Sequence, residues 1–424
     1  MKKVFLLFVL LAAVFTIAAC QNDDKIIVQG VTDTEILIGN TAATSGNFAG
    51  VGIPFNNGLE AYLHHVNTNG GVNGRTIRFV TYDDGFDATQ GLTLTKKLVE
   101  EDKVFALVGH FGTPTVGATI EYIQDIGVPM VYAATGINDL YFEESAGNPV
   151  MAVQPIYKTD GRIMTARALN EALFGANSDA KLPASAKVGV LHTSTDDGMS
   201  LKEGIETEAA FSDRSANFIY KSFAADNTAA LDAAVLDLKD QGVQAIIVAS
   251  NQNPFKAAVR SLQTNALHVP VFTSYVNADA TSIDATIDYS FDIYANAWVD
   301  IMKNSMADLT EFYAIMAAAE KDAVTGVAYA IAGYIAAKVF VEGLERVGED
   351  ELVWESYIDA MEEGPIDIPM GGTVDFSGGK RWGIASMSLL KLSTTPVADS
   401  NPQTYTHSWA ANKPIETLET IQAK

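Results

Sequence analysis

The sequence predicts an α/β protein made of two lobes, each holding a parallel sheet flanked by helices. Short apolar runs alternate with segments of helical periodicity over residues 35–132, and the same alternation restarts at residue 188. Strands joined by crossover helices form parallel sheets covered on both faces. Because the two runs have comparable length and a proline-containing stretch, Asn148 to Asp160, separates them, they predict two lobes.

The composition excludes several classes of protein. Of the 424 residues, 48% are hydrophobic and 19% charged, which is too apolar for a disordered chain. The 52 acidic and 28 basic side chains give a formal net charge of -24, which argues against a nucleic-acid partner and against electrostatic docking on anionic lipid. The single cysteine, Cys20, excludes an intrachain disulfide and a cysteine-rich zinc site.

The N-terminus has the layout of a secretory signal peptide. Two lysines precede an uncharged run, Val4 to Ala19, which is short for a membrane span of about 20 residues. Small residues directly before Cys20 resemble a bacterial lipobox. The resemblance implies that residues 1–19 are a signal peptide, that Cys20 is lipidated, and that residues 20–30 form a lipid-anchored tether. An ordinary signal peptide with an incidental cysteine is the alternative.

Four strands and three helices are predicted in the first run. Leu59, Tyr62, Leu63 and Val66 recur at helical spacing, and Asn69-Gly70-Gly71 ends that helix. The apolar runs predict buried strands. The strands are 35–39, 76–82, 105–108 and 128–132, and the remaining helices are 89–101 and a segment marked by Val116, Ile120 and Ile123.

The second run repeats this order, and the C-terminal part changes character. The predicted strands are 188–192, 218–223, 245–249, 269–273 and 293–297, and the helices are 200–210, a segment around Val235, and 254–264. Two long helices follow, at 309–321 and 327–344. Beyond them, the segments 371–376 and 384–392 flank a Ser377-Gly378-Gly379 turn, a pattern typical of antiparallel strands.

A resemblance to a known family covers most of the chain. It is carried by Ile36-Leu37-Ile38-Gly39 with Thr44-Ser45-Gly46, by Asn69-Gly70-Gly71-Val72-Asn73-Gly74-Arg75, by Tyr82-Asp83-Asp84, by Val108 to Thr115, and by Gln154-Pro155-Ile156-Tyr157. In their order and spacing these segments resemble the branched-chain-amino-acid-type solute-binding proteins of ABC importers. The resemblance implies the periplasmic binding protein type I fold, with two Rossmann-like lobes, three hinge crossings and a ligand in the cleft between the lobes.

The resemblance also implies domain boundaries. Residues 31–154 and 299–370 are expected to form the N-terminal lobe, and residues 155–298 and 371–418 the C-terminal lobe. The hinge crossings are then expected near Val153 to Tyr157, Ala297 to Asp300 and Met370 to Thr373.

Two neighbouring strand ends of the first lobe predict a binding loop. Ligands of open α/β sheets bind beyond the carboxyl ends of the strands, and the glycine-rich segment before Thr113 follows one strand while Ala134 and Thr135 follow the next. Hydroxyls and free helix N–H groups there form a carboxylate-sized pocket of neutral donors. In the family, the matching positions hold the ligand carboxylate. Thr113, Ala134 and Thr135 are therefore candidates, with Ser45 of the first motif.

An alternative is that Thr113 and Thr135 only cap helices. We expect Thr113→Val to weaken ligand binding with little effect on the unliganded protein, because this loop faces a solvated cleft in the open form.

The second lobe departs from the amino-acid-binding pattern. Family members that bind amino acids place an acid for the ligand ammonium after the last strand of this lobe, where the present chain has Val276. Either another acid replaces it or the ligand lacks an α-amino group. Asp197 is the nearest match for an acid facing the ligand, and a solvated turn is its alternative. Further candidates for the second wall of the cleft are Tyr157, Asn251 and Tyr275.

Signatures of enzymes and metal sites are absent from the sequence. It contains no G-x-S-x-G, P-loop or H-E-x-x-H motif. His64 and His65 are adjacent, so they cannot bind one metal from one helix face, and the acidic cluster around Gly85 lacks the register of a calcium loop. We therefore expect no enzyme activity, no cofactor and no metal.

The sequence thus favours capture of a small polar solute, an amino acid or a related carboxylate or amide, and its delivery to the membrane subunits of an ABC permease. The protein would act as a monomer on the extracytoplasmic face of a bacterial membrane, held by the anchor at Cys20, with no nucleic-acid partner. Two alternatives stay open: a sensor of the same fold that signals to a membrane receptor, and a surface hydrolase without recognisable motifs.

The first testable prediction concerns the anchor. Cys20→Ala removes the sulfur that would carry the lipid, and without acyl chains a soluble domain has little hold on a bilayer. Cell fractionation should therefore find the variant in the soluble fraction and the unaltered protein with membranes. Retention of the variant on membranes after a high-salt wash would contradict the assignment.

Overall fold

Two sheets organise the chain, and each packs against helices contributed by separate stretches of sequence. The computed structural model describes residues 29–175, 177–299, 306–321, 326–348 and 351–424. Cys20 lies outside the described residues, so its lipidation stays a prediction. The two-lobed α/β architecture with parallel sheets and flanking helices is confirmed.

The first sheet has five parallel strands in the order β2-β1-β3-β4-β5. Helices cover most of its strands, which are buried, whereas the edge strand β2 is mostly half-buried. The elements are β1 (Glu35–Ala42), α1 (Ala49–Thr68), β2 (Thr76–Asp83), α2 (Ala88–Lys96), which continues as a π turn over Lys97–Glu101, β3 (Ala106–Val108), α3 (Thr113–Ile126), β4 (Met130–Val131) and β5 (Val150–Met151).

The second sheet is larger and mixed. Five parallel strands carry two antiparallel strands at one edge, β13 (Ser386–Pro396) and β14 (Tyr405–Thr417), in the order β14-β13-β10-β9-β8-β6-β7. Its first elements are α4 (Tyr157–Asn170), β6 (Val188–His192), α5 (Asp196–Phe211), β7 (Phe218–Ser222), α6 (Thr228–Asp240), β8 (Ala245–Ala249), α7 (Gln252–Thr264), β9 (Val271–Thr273) and β10 (Ile293–Ala297).

After β10 the chain returns to the first lobe and then crosses back to complete the second sheet. Helices α8 and α9 pack on α1. The elements are α8 (Met306–Ala318), α9 (Val327–Val347), α10 (Trp354–Glu362), the short strands β11 (Ile366–Asp367) and β12 (Thr373–Val374), β13 (Ser386–Pro396), β14 (Tyr405–Thr417) and α11 (Leu418–Gln422).

Helix α9 is the core helix of the first lobe. Small residues bring it close to α1, because a Cβ on Gly58 would lie 1.8 Å from the carbonyl oxygen of Ala330, and a Cβ on Gly333 would lie 1.8 Å from that of Phe55. Among the described residues, α9 is the one helix long and apolar enough to cross a membrane, but 72% of its most apolar window is buried inside the protein. The apolar sequence is accounted for by burial between neighbouring helices.

The third crossing lies later in the chain than the sequence predicts. The expected passage at Met370 to Thr373 falls in the β11–β12 hairpin, and Arg381 beyond it is still anchored on the first lobe. The buried Arg381 guanidinium donates 2.6 Å to the carbonyl oxygen of Asn148 and 2.5 Å to Oε1 of Glu362. A buried guanidinium needs such partners, so the chain enters the second sheet only at β13. The expected boundary at 371 is therefore wrong.

The first and third crossings run side by side. The N–H of Ile384 donates 2.9 Å to the carbonyl oxygen of Val153. A Cβ on Gly383 would lie 2.2 Å from the carbonyl oxygen of Gln154, so only glycine permits this approach. The second crossing, expected at Ala297 to Asp300, ends outside the described residues.

A buried carboxyl couples the stability of the second lobe to pH. Asp160 of α4 is fully buried and accepts a hydrogen bond of 2.7 Å from Nδ2 of Asn296 on β10. Burial raises the pKa of Asp160 to about 6, although hydrogen bonds from Ser274 and Asn296 favour the charged form. The folded protein therefore keeps this proton up to a higher pH than the unfolded chain does.

The second testable prediction follows from that difference. As pH rises from about 4 to 6, the unfolded chain loses the Asp160 proton while the native state retains it, so this residue lowers stability, by up to about 3 kcal/mol above pH 6. Asp160→Asn should remove this decline in chemical-denaturation measurements across that range. The exposed Asp226→Asn is the matched control, and equal pH slopes for both variants would contradict the prediction.

Candidate functional site

A cavity lies between the lobes, at the ends of β3 and β4 and against the hinge segments. It contains about 900 Å³ of empty space, part of which is open solvent. Both lobes contribute to its wall. The polar lining residues are Thr113, Gln154, Asn251 and Gln252, and the aromatic ones are Phe48, Phe55, Phe86, Phe111, Tyr157, Tyr275, Trp298 and Tyr329.

The first-lobe wall is built on the ends of two adjacent strands. The backbone beyond β3 continues alongside that beyond β4 through a bridge between Phe111 and Ala134. Gly112 then adopts a φ of 105°, a conformation that favours glycine, and α3 begins at the next residue. Thr113 is thereby placed at the helix N-terminus, facing the cavity.

The hydroxyls of Thr113 and Thr135 bond to each other. Their Oγ1 atoms lie 2.8 Å apart, and both side chains are buried. The N-cap position of α3 is Gly112, without a side-chain cap, so Thr113 does not cap this helix. The pair holds the two strand-end loops together.

The second-lobe wall places two tyrosines over this loop pair. Asn251, at the N-terminus of α7, donates 3.2 Å from Nδ2 to the hydroxyl of Tyr157. The Tyr275 hydroxyl donates 2.8 Å to the carbonyl oxygen of Pro155 and accepts 2.9 Å from Nε2 of Gln154. Burial raises the pKa of Tyr157 to about 12, with a further contribution from the Asp197 charge. Both phenols are thus neutral hydrogen-bonding groups at the hinge.

The structure brings together most of the residues expected from the sequence. Thr113, Ala134, Tyr157, Asn251 and Tyr275 line the cavity. Whether any of them touches a ligand stays a prediction.

Three expected residues lie away from the cavity wall. Thr135 lies behind the wall and bonds to two residues that line it, Thr113 and Tyr157. Asp197 is buried near Tyr157, with bonds from the Thr195 side chain and backbone N–H groups. Ser45 is exposed in the loop after β1, where its side chain bonds to Asp83. Each bonds to neighbouring protein groups, and ligand contact by these three residues stays a prediction.

Sequence reasoning missed the aromatic wall. Phe48 and Phe86 stack with ring centroids 3.8 Å apart, and Phe55 lies 5.5 Å from Phe111. Trp298 reaches the cavity from the hinge. These rings come from distant parts of the chain, so no local pattern links them. Phe111, inside the glycine-rich loop, was the one local signal.

Charged groups stay out of the cavity wall. Among the described residues, none that lines the cavity is Asp, Glu, Lys, Arg or His. Asp84, behind the first-lobe loops, accepts hydrogen bonds from Thr41 and Thr115, and burial raises the pKa of its carboxyl. The described residues also hold no cluster of three or more His, Cys, Asp or Glu that could bind a metal ion.

Hydrogen bonds across the cleft join the lobes. Nδ2 of Asn138 donates 2.7 Å to Oε2 of Glu203, and Nδ2 of Asn253 donates 3.2 Å to the carbonyl oxygen of Asn47. The Tyr329 hydroxyl of α9 donates 3.2 Å to the carbonyl oxygen of Val276. The lobes thus meet on more than one side of the cavity.

Two α/β lobes around a largely apolar cavity, joined by crossing segments, define the solute-binding class of protein. Residues 35–396 match the periplasmic binding protein family, and the chain belongs to that family. This class binds solutes and is not a class of enzymes.

Curated relatives include Leu/Ile/Val-binding protein homologues of Brucella abortus (strain 2308). Homolog 2 is 31% identical over 25% of this chain and 28% of its own length, and homolog 7 is 22% identical over 80% of this chain and 83% of its own length. The chain thus matches less than a third of the first relative, which is too little to transfer a whole protein's activity.

Solved structures extend the likeness over nearly the whole chain. A possible leucine/isoleucine/valine-binding protein from Rhodopirellula baltica SH 1 superposes with a TM-score of 0.69 at 17% identity, covering 84% of this chain and 94% of that one. An ABC-transporter solute-binding protein from R. palustris, in complex with benzoate, gives 0.67 at 18% identity, covering 92% and 99%. At such identities the likeness shows the fold alone.

The third testable prediction concerns Thr113. Thr113→Val removes a donor aimed at the cavity, and a hydrogen bond to a charged ligand contributes about 1.5–3 kcal/mol, so affinity should fall roughly ten- to hundredfold. The same change removes one of two bonds of the buried Thr135 hydroxyl, which keeps the bond to Tyr157. The unliganded protein should therefore lose at most about 1 kcal/mol, the net contribution of one hydrogen bond.

Calorimetric titration with the solute that most stabilises the protein in a thermal screen measures the affinity, and urea unfolding measures the stability. Thr113→Ser is the matched control, because it keeps the hydroxyl and should retain both. Unchanged affinity and stability in Thr113→Val would remove this residue from the site.

Proposed function

We propose that this protein captures a small solute in the interlobe cavity and delivers it to an ABC permease. The observation that supports the proposal is the cavity itself: its wall combines the loops after β3 and β4 with Tyr157, Asn251 and Tyr275 of the other lobe. A solute bound there touches both lobes, so it favours the arrangement in which they are closed.

The crossings between the lobes supply the hinge. Few backbone segments join the two sheets, and rotation about a few dihedral angles in such segments moves lobes as rigid bodies. We place residues 31–154 and 299–384 in the N-terminal lobe. Residues 155–298 and 385–424 form the C-terminal lobe, where α11 packs on α4.

The proposed location is the extracytoplasmic face of a bacterial membrane. It rests on the family, whose name is that of periplasmic proteins, and on the signal-peptide layout before Cys20. The lipid at Cys20 would keep the binding protein close to its permease, which raises the local concentration of the loaded form.

Relatives point to the range of solutes. The names of the Brucella relatives refer to leucine, isoleucine and valine, and the R. palustris structure contains benzoate. We therefore propose a solute with a carboxylate or a related amide group, and place that group beside Thr113 and the N-terminus of α3.

The fourth testable prediction combines stabilisation with closure. A solute at a hundred times its dissociation constant should stabilise the protein by about 2.7 kcal/mol, visible as a higher melting temperature. X-ray scattering at the same saturation should give a smaller radius of gyration. An unchanged radius with a ligand that clearly stabilises the protein would contradict the hinge mechanism.

Transport itself needs a cellular measurement. Cells that lack this protein should lose uptake of the radiolabelled solute, and re-expression should restore it. Normal uptake in the deletion strain, together with strong binding in vitro, would argue against delivery to a permease.

A further inference from the structure

The chemistry of the cavity narrows the solute class, an argument that rests on the proposed function. The described lining contains eight aromatic side chains and no Asp, Glu, Lys, Arg or His. We infer that the ligand is an aromatic monocarboxylate without an α-amino group, and that L-amino acids are rejected.

Aromatic rings on both walls of the cavity favour an aromatic ligand. Phe55, Phe86 and Phe111 lie on the first-lobe side, whereas Tyr157 and Tyr275 lie opposite, with ring centroids 6.1 Å apart. Rings on both walls can pack on the faces and edges of a flat ligand, an arrangement that favours aromatic pairs beyond the area they bury. A flexible alkyl chain would lose more conformational freedom there for the same burial.

The polar groups at one end of the cavity favour a carboxylate on the ligand. The N–H groups of Thr113 and Thr115 in the first turn of α3 have no partner within the helix, Pro114 between them has no N–H, and the helix dipole favours negative charge. A second observation points to a ligand at the same place. Asn251 lines the cavity with 7% of its surface exposed, and its Oδ1 atom has no hydrogen-bond partner.

Thr113, Asn251 and Tyr157 meet at this end, because hydrogen bonds from Asn251 and Thr113 both act on the Tyr157 phenol. A ligand head group bound here meets neutral donors and one unpaired amide oxygen. A hydroxyl group on the ligand can donate a hydrogen bond to that oxygen.

The described cavity wall offers no acidic side chain to pair with a ligand ammonium. An ammonium that enters a dry cavity needs an acidic partner, and the side chain at the expected position is Val276, which lines the cavity. The buried acids nearby lie outside the cavity wall and accept hydrogen bonds from protein groups, although Oδ2 of Asp160 has no partner among the described residues. Asp197 accepts from Thr195 and backbone N–H groups, Asp160 from Asn296, and Asp279 from both the N–H and the hydroxyl of Thr281.

The decisive probes are phenylpropanoate and L-phenylalanine, which differ only in the α-amino group. Calorimetry on the unaltered protein should give a dissociation constant for phenylpropanoate at least about a hundredfold lower. Octanoate lacks the aromatic ring and phenylpropanamide lacks the carboxylate charge. Both should bind at least tenfold more weakly than phenylpropanoate.

A substitution at Val276 tests whether the missing acid causes the preference for a ligand without an amino group. Val276→Asp supplies the missing acid, so it should tighten phenylalanine binding at least tenfold and weaken phenylpropanoate by a similar factor. Val276→Asn has a similar shape without the charge and should not reverse the preference. The comparison of probes on the unaltered protein stands even where a variant fails to fold.

Each outcome decides the inference separately from the proposed function. Equal or tighter binding of phenylalanine overturns it, as does tighter binding of octanoate or the amide, or binding of none of the probes. In all of these cases a different solute that stabilises and closes the protein would leave the proposed function intact. Failure of every solute to cause closure would instead remove the proposed function.

Discussion

The hydrogen bond between the hydroxyls of Thr113 and Thr135 holds together the two loops that form the first-lobe wall. The loops are neighbours because β3 and β4 are adjacent parallel strands that end at the same edge of the sheet. Behind them, Asp84 accepts hydrogen bonds of 2.8 Å from Thr41 and 2.7 Å from Thr115. The wall is therefore positioned by the register of the sheet and by buried bonds, and it can present donors to the cleft without rearrangement.

The second-lobe wall is attached to the hinge itself. Tyr275 bonds to both Gln154 and Pro155 of the first crossing, and that crossing is paired with the third through Ile384 and Val153. A rotation of the lobes must therefore act on the same backbone to which the cavity-lining Tyr275 is bonded. This coupling gives a physical route by which occupancy of the cavity can favour one lobe arrangement.

The sequence predicted nine of the ten parallel strands, most of which are short apolar runs between helical segments, but it missed β5 (Val150–Met151). It missed α4, whose buried face includes the polar residues Asp160 and Arg167 and so breaks the apolar periodicity. It also missed β14, an edge strand with many exposed positions. The error in the third crossing has one cause: the anchoring of Arg381 on Asn148 joins residues 233 positions apart, which no local pattern reveals.

The residues of the candidate site also separate into those that the sequence predicts and those that it does not. Strand ends are readable from a sequence, so Thr113 and Ala134 could be found, and Tyr157, Asn251 and Tyr275 followed from the resemblance. The aromatic wall depends on how lobes and hinge meet, which brings Phe86 and Trp298 to one cavity from distant segments.

The electrostatics of the second lobe agree with a cavity that receives no cation. Burial raises the pKa of both Asp160 and Asp197, so the protein around these carboxyls disfavours their charged forms. A site built for an ammonium would need the opposite arrangement, with a carboxylate kept ionised and open to the ligand. Acids are abundant in this chain, which carries 52 of them, yet the described cavity wall has none. A scarcity of acids in the chain therefore does not explain their absence from this wall. The absence is a property of the site.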